Sequence, residues 1–182
     1  MNEENKNRIL IVVGAAPGAL EDVNTFLARR VENGAPKDAG VDFMIIGMDA
    51  AFFPTPVKYL ATYHPSDIEE AHKRREAAGL NTDYTIIAHQ QYKDKVSLII
   101  PCQSPSGSSA LLGVLAGIKY GYRKIIVCGC PLIGVNAKGN KYESFQKGWT
   151  AKINEIKNVT RSMSGWTMEL LGAPDVEWLS DL

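Results

Sequence analysis

Neither acid nor base is in excess in this chain. Its 20 Lys and Arg residues balance 20 Asp and Glu residues, and no basic run is interleaved with aromatics, so the electrostatic footprint of a nucleic-acid binder is missing. No apolar stretch approaches the roughly 20 residues that span a bilayer, and the polar start MNEENKNR has none of the character of a signal peptide. A cytoplasmic protein with no membrane and no nucleic-acid partner is expected. Cysteine is scarce and odd in number. Cys102, Cys128 and Cys130 fall in or beside strand-like segments, which favours reduced core thiols over a disulfide framework. Zinc-ligand spacing is absent too, and no metal is expected. Three catalytic or cofactor signatures are also missing: a Gly-Lys-Ser/Thr P-loop, a Gly-x-Gly-x-x-Gly dinucleotide fingerprint and a Gly-x-Ser-x-Gly nucleophile elbow.

What is present is a layered apolar pattern. At 182 residues and 45% hydrophobic content, the chain suits one core rather than two. A single domain over 1–182 is expected, with residues 1–7 unordered. Arg8 to Val13 reads as one β-branched-rich, largely apolar run ending in Gly14-Ala15-Ala16-Pro17-Gly18, as for a strand buried on both faces and followed by a turn. A helix over about 20–31 follows, and Val41 to Ile46 reads as a second strand. Residues 60–63 suggest a third, stopped by His64-Pro65, after which Ser66 and Glu69 have capping-box spacing for a helix to about Ala78. Further strands are expected at 84–88, 96–100, 124–128 and 159–163, with a small-residue helix between the serine-rich turn and the 124–128 strand and helices at about 142–156 and 165–171. The alternation predicts an α/β, Rossmann-like fold: a mostly parallel sheet with helices on both faces.

In such sheets the ligand crevice opens beyond the carboxyl ends of the strands. The residues collected there are Gly14 to Gly18, Asp49, His64 and the serine-rich stretch 104–109. That stretch opens a helix whose Gly113, Ala116 and Gly117 thin one face. Its hydroxyls and helix-start N–H groups suit an anion, although an ordinary N-cap is an equal reading. Asp49, at the end of the second strand, suits ribose hydroxyls or a cap. His64 is the strongest histidine for general acid–base work, against a structural role, while His72 and His89 have no partner visible in sequence. The Lys73-Arg74-Arg75 run reads as a solvated helix face.

Four segments, GAAPGALEDV (14–23), IIGMDA (45–50), ATYHPS (61–66) and SGSSALLGVLAGIKYGYRKIIVCGCPL (106–132), together resemble a known group. It contains the bacterial CMP-sialic-acid-dependent sialyltransferases, the motility accessory factor glycosyltransferases and the archaeal 6-hydroxymethylpterin pyrophosphokinase-like proteins. The resemblance implies a nucleotide-facing set of Gly14, Pro17, Asp49, Ser106, Gly107 and Ser108; the strand-end reading adds Gly18 to the ligand-binding residues and His64 as the catalytic candidate, and the 133–147 loop adds Tyr142. It implies a nucleotide or nucleotide-sugar ligand, no further cofactor, and a glycosyl or pyrophosphoryl transfer. Departures from the sialyltransferase pattern are Ala15, Ala16, Asp49 and His64 where asparagines are usual, and Pro131 in place of an aspartate; no histidine follows His89. The tail 158–172, NVTRSMSGWTMELLG, resembles small phage and prophage proteins, which implies the alternative of a non-catalytic binding or regulatory module. Both readings leave a homo-oligomer open.

Overall fold

The computed structural model describes residues 3–35, 39–101, 108–134 and 141–180. Seven strands form one sheet: β1 (Ile9–Val13), β2 (Val41–Ile46), β3 (Tyr59–Thr62), β4 (Thr85–Ala88), β5 (Leu98–Ile99), β6 (Lys124–Cys128) and β7 (Thr160–Ser162). Their order is β5-β4-β3-β2-β1-β6-β7, and every pairing is parallel. The run ILIVV lies near the middle because it has no polar face to offer water: all five of its residues are buried. It pairs in register with β2 from Ile9↔Val41 to Val13↔Ile45, and with β6 from Ile9↔Lys124 to Val13↔Cys128.

Alternate residues of the strands feed two apolar clusters. Ile9, Ile11 and Val13 pack with Phe26 of α1 (Ala19–Glu32) and Ile68 of α2 (Ile68–Ala77). Leu10, Val12 and Met44 pack with α3 (Ser109–Lys119), α4 (Glu143–Ala151), α5 (Ile153–Ile156) and Leu171 of α6 (Gly165–Leu171). The thin face of α3 explains how closely it lies on the sheet. A Cβ at Gly113 would come within 2.9 Å of Met44 Sδ, and one at Gly117 within 2.7 Å of Leu10 Cδ2. Cys128 and Cys130 sit in opposite clusters. Burial pushes the Cys130 thiol up to about 12 and Cys128 well above its usual value, so both are inert. Cys102 lies outside the described residues.

Several expectations change. Ser66 and Glu69 do not form a capping box; Pro65 starts a 3₁₀ turn, Pro65–Asp67, in which Asp67 N–H donates to His64 O, and α2 follows with no side-chain cap. The long helix expected at 142–156 breaks at Lys152, whose N–H is shared between the carbonyls of Gly148 and Trp149. The break lets both Trp149 and Ile156 reach the same core. An unforeseen helix, α7 (Val176–Ser180), brings Trp178 between the Lys124 ammonium, 4.4 Å from its ring, and the Arg161 guanidinium, 4.8 Å away.

Residues 3–7, expected to be unordered, form a 3₁₀ turn. Asn5 is its anchor: buried, it donates to Tyr120 O at 3.0 Å. Beside it, at the amino edge of the sheet, Asp42 accepts from Arg8 Nε and Nη2, both at 2.7 Å, from Tyr122 Oη at 2.6 Å and from Lys58 Nζ at 3.2 Å. Burial raises the Asp42 pKa, but the bonds from Arg8 and Tyr122 and the Lys58 charge outweigh it, holding the carboxyl below its ordinary value.

Candidate functional site

The strand order reverses between β1 and β6, the usual place for a crevice in an open parallel sheet. Here that junction is filled by backbone. Gly14 N–H donates to Cys128 O and Ala16 N–H to Gly129 O. A Cβ on Gly14 would lie 2.2 Å from Gly129 O and 2.3 Å from Cys130 Sγ. Gly129, at φ +65°, is in turn held by Asp22, whose carboxylate accepts from Gly129 N–H and Ser164 Oγ, both at 2.8 Å.

The opening is therefore displaced to the ends of β1 and β2, where a cleft of about 240 Å³ is lined by Gly14, Pro17, Leu20, Asp49, Phe52 and their neighbours. On one wall α1 begins at Gly18, which offers no capping side chain to the first turn. On the other stands Asp49. Its carboxylate is largely exposed and 3.5 Å from Arg74 Nη1. The rim is apolar: Leu20 and Phe52 are both exposed, 47% and 66%.

The loop carrying Asp49 and Phe52 is held by residues the sequence pattern placed in solvent. Arg75 is fully buried. Its guanidinium donates to the carbonyls of Ala51, Phe53, Thr55 and Asn81 and to Asn81 Oδ1. No carboxylate pairs with it among the described residues, and burial lowers its pKa. Arg74 grips the outside of the same loop, meeting Asp49 and lying 5.9 Å from the Phe52 ring while bonding Glu70 at 2.8 Å. The Lys-Arg-Arg run is thus a clamp in its last two members. Backbone carbonyls carry no sequence signature, which is why the role was invisible. Arg75→Met is expected to lower stability by about 2–3 kcal/mol, the value of charged hydrogen bonds left without their donor. Hydrogen exchange of the 51–55 amides would rise with it; exchange unchanged from the parent would show that the loop holds itself.

The other candidates gather on the α3 side of the sheet. Ser108 is the N-cap of α3. Its buried hydroxyl accepts from Leu111 N–H and from Trp149 Nε1, each at 3.4 Å. Ser109 Oγ accepts from Tyr63 N–H at 2.9 Å. His64 is exposed at the end of β3, its backbone tied to Thr62 Oγ1. Tyr142 precedes α4 and packs its ring 5.8 Å from that of Phe145. Ser106 and Gly107 lie outside the described residues. Gly14, Pro17 and Asp49 thus share one cleft with Gly18 beside it, whereas Ser108 and Tyr142 are engaged by the α3–α4 packing. One residue that sequence reasoning left without a partner acquires one: His89, just after β4, stacks on Tyr63 with ring centroids 4.4 Å apart. Neighbouring parallel strand ends, each finishing in a ring, were the signal.

Among the described residues no group of three or more His, Cys, Asp or Glu side chains is placed to hold a metal, and no helix is long and apolar enough to cross a membrane. No family model matches the chain, and no curated protein matches it. Among solved structures the fold is similar to that of the sialyltransferase CstII from Campylobacter jejuni, solved with the substrate analogue cytidine-5'-monophosphate. The TM-score is 0.59 at 13% identity, covering 93% of this chain and 86% of that one. The α/β architecture is therefore a sialyltransferase-like one.

Proposed function

We propose that the chain binds a nucleotide or nucleotide sugar in the β1–β2 cleft, on a glycosyltransferase-like scaffold. The observation that carries this is a shared lining: an exposed carboxylate after β2, Asp49, lines the same cleft as Ala19 and Leu20, the first residues of the 14-residue helix α1, which starts without a side-chain cap. Ribose hydroxyls need an acceptor, and a phosphate needs N–H donors and the positive end of a helix. Phe52 at the rim offers a flat apolar face for a base. The cytidine monophosphate bound to the similarly folded CstII makes CMP the first ligand to try.

Calorimetry with CMP tests the reading. Binding by the parent protein is expected, and Asp49→Ala should weaken it by about 1–3 kcal/mol, as for a lost charged hydrogen-bond partner. Unchanged affinity in that variant would remove Asp49 from the site.

Binding without sialyl transfer is the form of the reading that the residues favour. β6 is followed by buried Cys130 and by Pro131, whose carbonyl is taken by Trp166 N–H, so neither side chain offers an acid or base. No histidine follows His89, and a positioned base contributes about 10²–10⁴-fold to such a step. Purified protein is expected to release CMP from CMP-sialic acid far more slowly than a base-assisted transfer requires. Rapid acceptor-dependent release, abolished in His64→Ala, would instead make the chain a transferase with His64 as its base.

A further inference from the structure

The β1–β2 cleft is poor in groups that could read a base. Among the described residues that line it, Asp49 carries the one side chain able to hydrogen-bond; the rest are glycine, alanine, proline, valine, leucine and phenylalanine. The main chain adds little on the Phe52 side. Ala50 O already accepts from Phe53 N–H, Phe53 O accepts from Arg75 Nη1 at 3.0 Å, and Pro54 has no N–H to give. Arg74 lies outside the lining, with its Nε on Glu70 and its Nη1 3.5 Å from Asp49.

What the cleft does offer a base is a face. Phe52 is 66% exposed, so its ring stands at the rim rather than inside the core. The loop beneath it is fixed by the Arg75 bonds to the carbonyls of Ala51, Phe53 and Thr55, and the Arg74 guanidinium lies 5.9 Å from the ring. Stacking on an aromatic face is open to every base, because each has a π-face. Telling one base from another takes polar groups matched to its edge, which strongly reject an analogue that leaves them unpaired. Asp49 and Phe52 share this one loop and line the same cleft, as ribose and base are neighbours in a nucleoside.

We propose that the cleft takes ribonucleoside phosphates irrespective of their base: Asp49 accepts from the ribose hydroxyls, Phe52 stacks the base, and no described side chain of the lining reads the base edge. The assignment rests on the nucleotide reading above and narrows it to recognition of the sugar and of a flat ring. Specificity then lies in ribose and phosphate.

Calorimetry with four ribonucleoside monophosphates tests this, because CMP and UMP share a ring size and differ at the polar edge, as do AMP and GMP. Within each pair the dissociation constants should differ by less than about fivefold, the worth of one net hydrogen bond. Phe52→Ala should weaken all four by about fivefold or more and, the residue being exposed, leave the melting temperature unchanged. Phe52→Trp, which keeps a flat face, should retain the affinity. A difference of about fivefold or more within either pair, full affinity in Phe52→Ala, or an equal loss in Phe52→Trp would overturn the proposal; with Asp49→Ala still weakening CMP, the nucleotide reading would stand. Failure of the parent protein to bind any of the four would overturn both.

Discussion

Trp149→Ala is expected to lower the unfolding free energy by about 3–5 kcal/mol, the range for truncating a large aromatic in a close-packed core. Trp149 is fully buried in α4. It packs in the same cluster as Leu111, Leu132 and Ile156, and donates from Nε1 to Ser108 Oγ. Removing it opens a cavity and also takes one of two donors from the N-cap of α3. Trp149→Phe separates the effects, since it keeps most of the volume and loses only the N–H, at about 1 kcal/mol. Urea unfolding measures both. A loss below about 1 kcal/mol for the alanine variant would mean that α4 can close onto the sheet without its anchor.

Asp42→Ala should cost about 3 kcal/mol. Removing one member of a buried ion cluster typically costs 3–5 kcal/mol. The lower end applies because the Arg8 and Lys58 side chains are 31% and 39% exposed and can turn to water once their partner is gone. Tyr122 cannot, being buried, and burial together with its bond to Asp42 raises its own pKa. The pH dependence follows from the direction of the Asp42 shift. Its folded-state pKa lies below the ordinary 3.8, so the unfolded chain takes up the proton first as pH falls. The carboxylate's contribution is complete above about pH 4 and is lost progressively below it. The parent protein should therefore lose more thermal stability between pH 4 and pH 2 than Asp42→Asn does. Parallel melting-temperature profiles for the two would show that Asp42 is not what fails in acid.

The strands legible in sequence were those with no ambiguity of face. β1 is a continuous apolar run, β2 and β6 are apolar apart from Asp42 and Lys124 near their starts, and the bounds of β2 and β6 agree with those read from composition. β5 shrinks to Leu98–Ile99 because it is an edge strand with one partner, where Ser97 N–H already reaches Ile86 O and Ile100 N–H reaches Ala88 O. α7 was missed because VEWLS has no periodicity. Only the cations of Lys124 and Arg161, distant in sequence, make a place for Trp178. The candidate site was legible to the extent that it follows from topology. Any residue closing a parallel strand reaches the carboxyl edge, which brings Gly14, Pro17 and Asp49 into one cleft. Finer placement depended on tertiary contacts that leave no local trace: the Gly14–Gly129 contact that closes the β1–β6 junction, and the carbonyls that draw Arg75 inward.

The strand order also bears on how the chain emerges from a ribosome. β1 to β5 lie consecutively in both sequence and sheet, while β6 and β7 add to the far side of β1. Once β1 and β2 have paired, the other edge of the ILIVV strand stays bare until Lys124–Cys128 has been made. At 5–20 residues per second that interval is on the order of ten seconds. A wholly apolar, unprotected edge is the element most prone to pair with another molecule. During synthesis an interior strand of the finished sheet is thus its most adhesive part, and yield in a producing cell should depend on chaperones that bind extended apolar segments more than the folded protein's stability suggests.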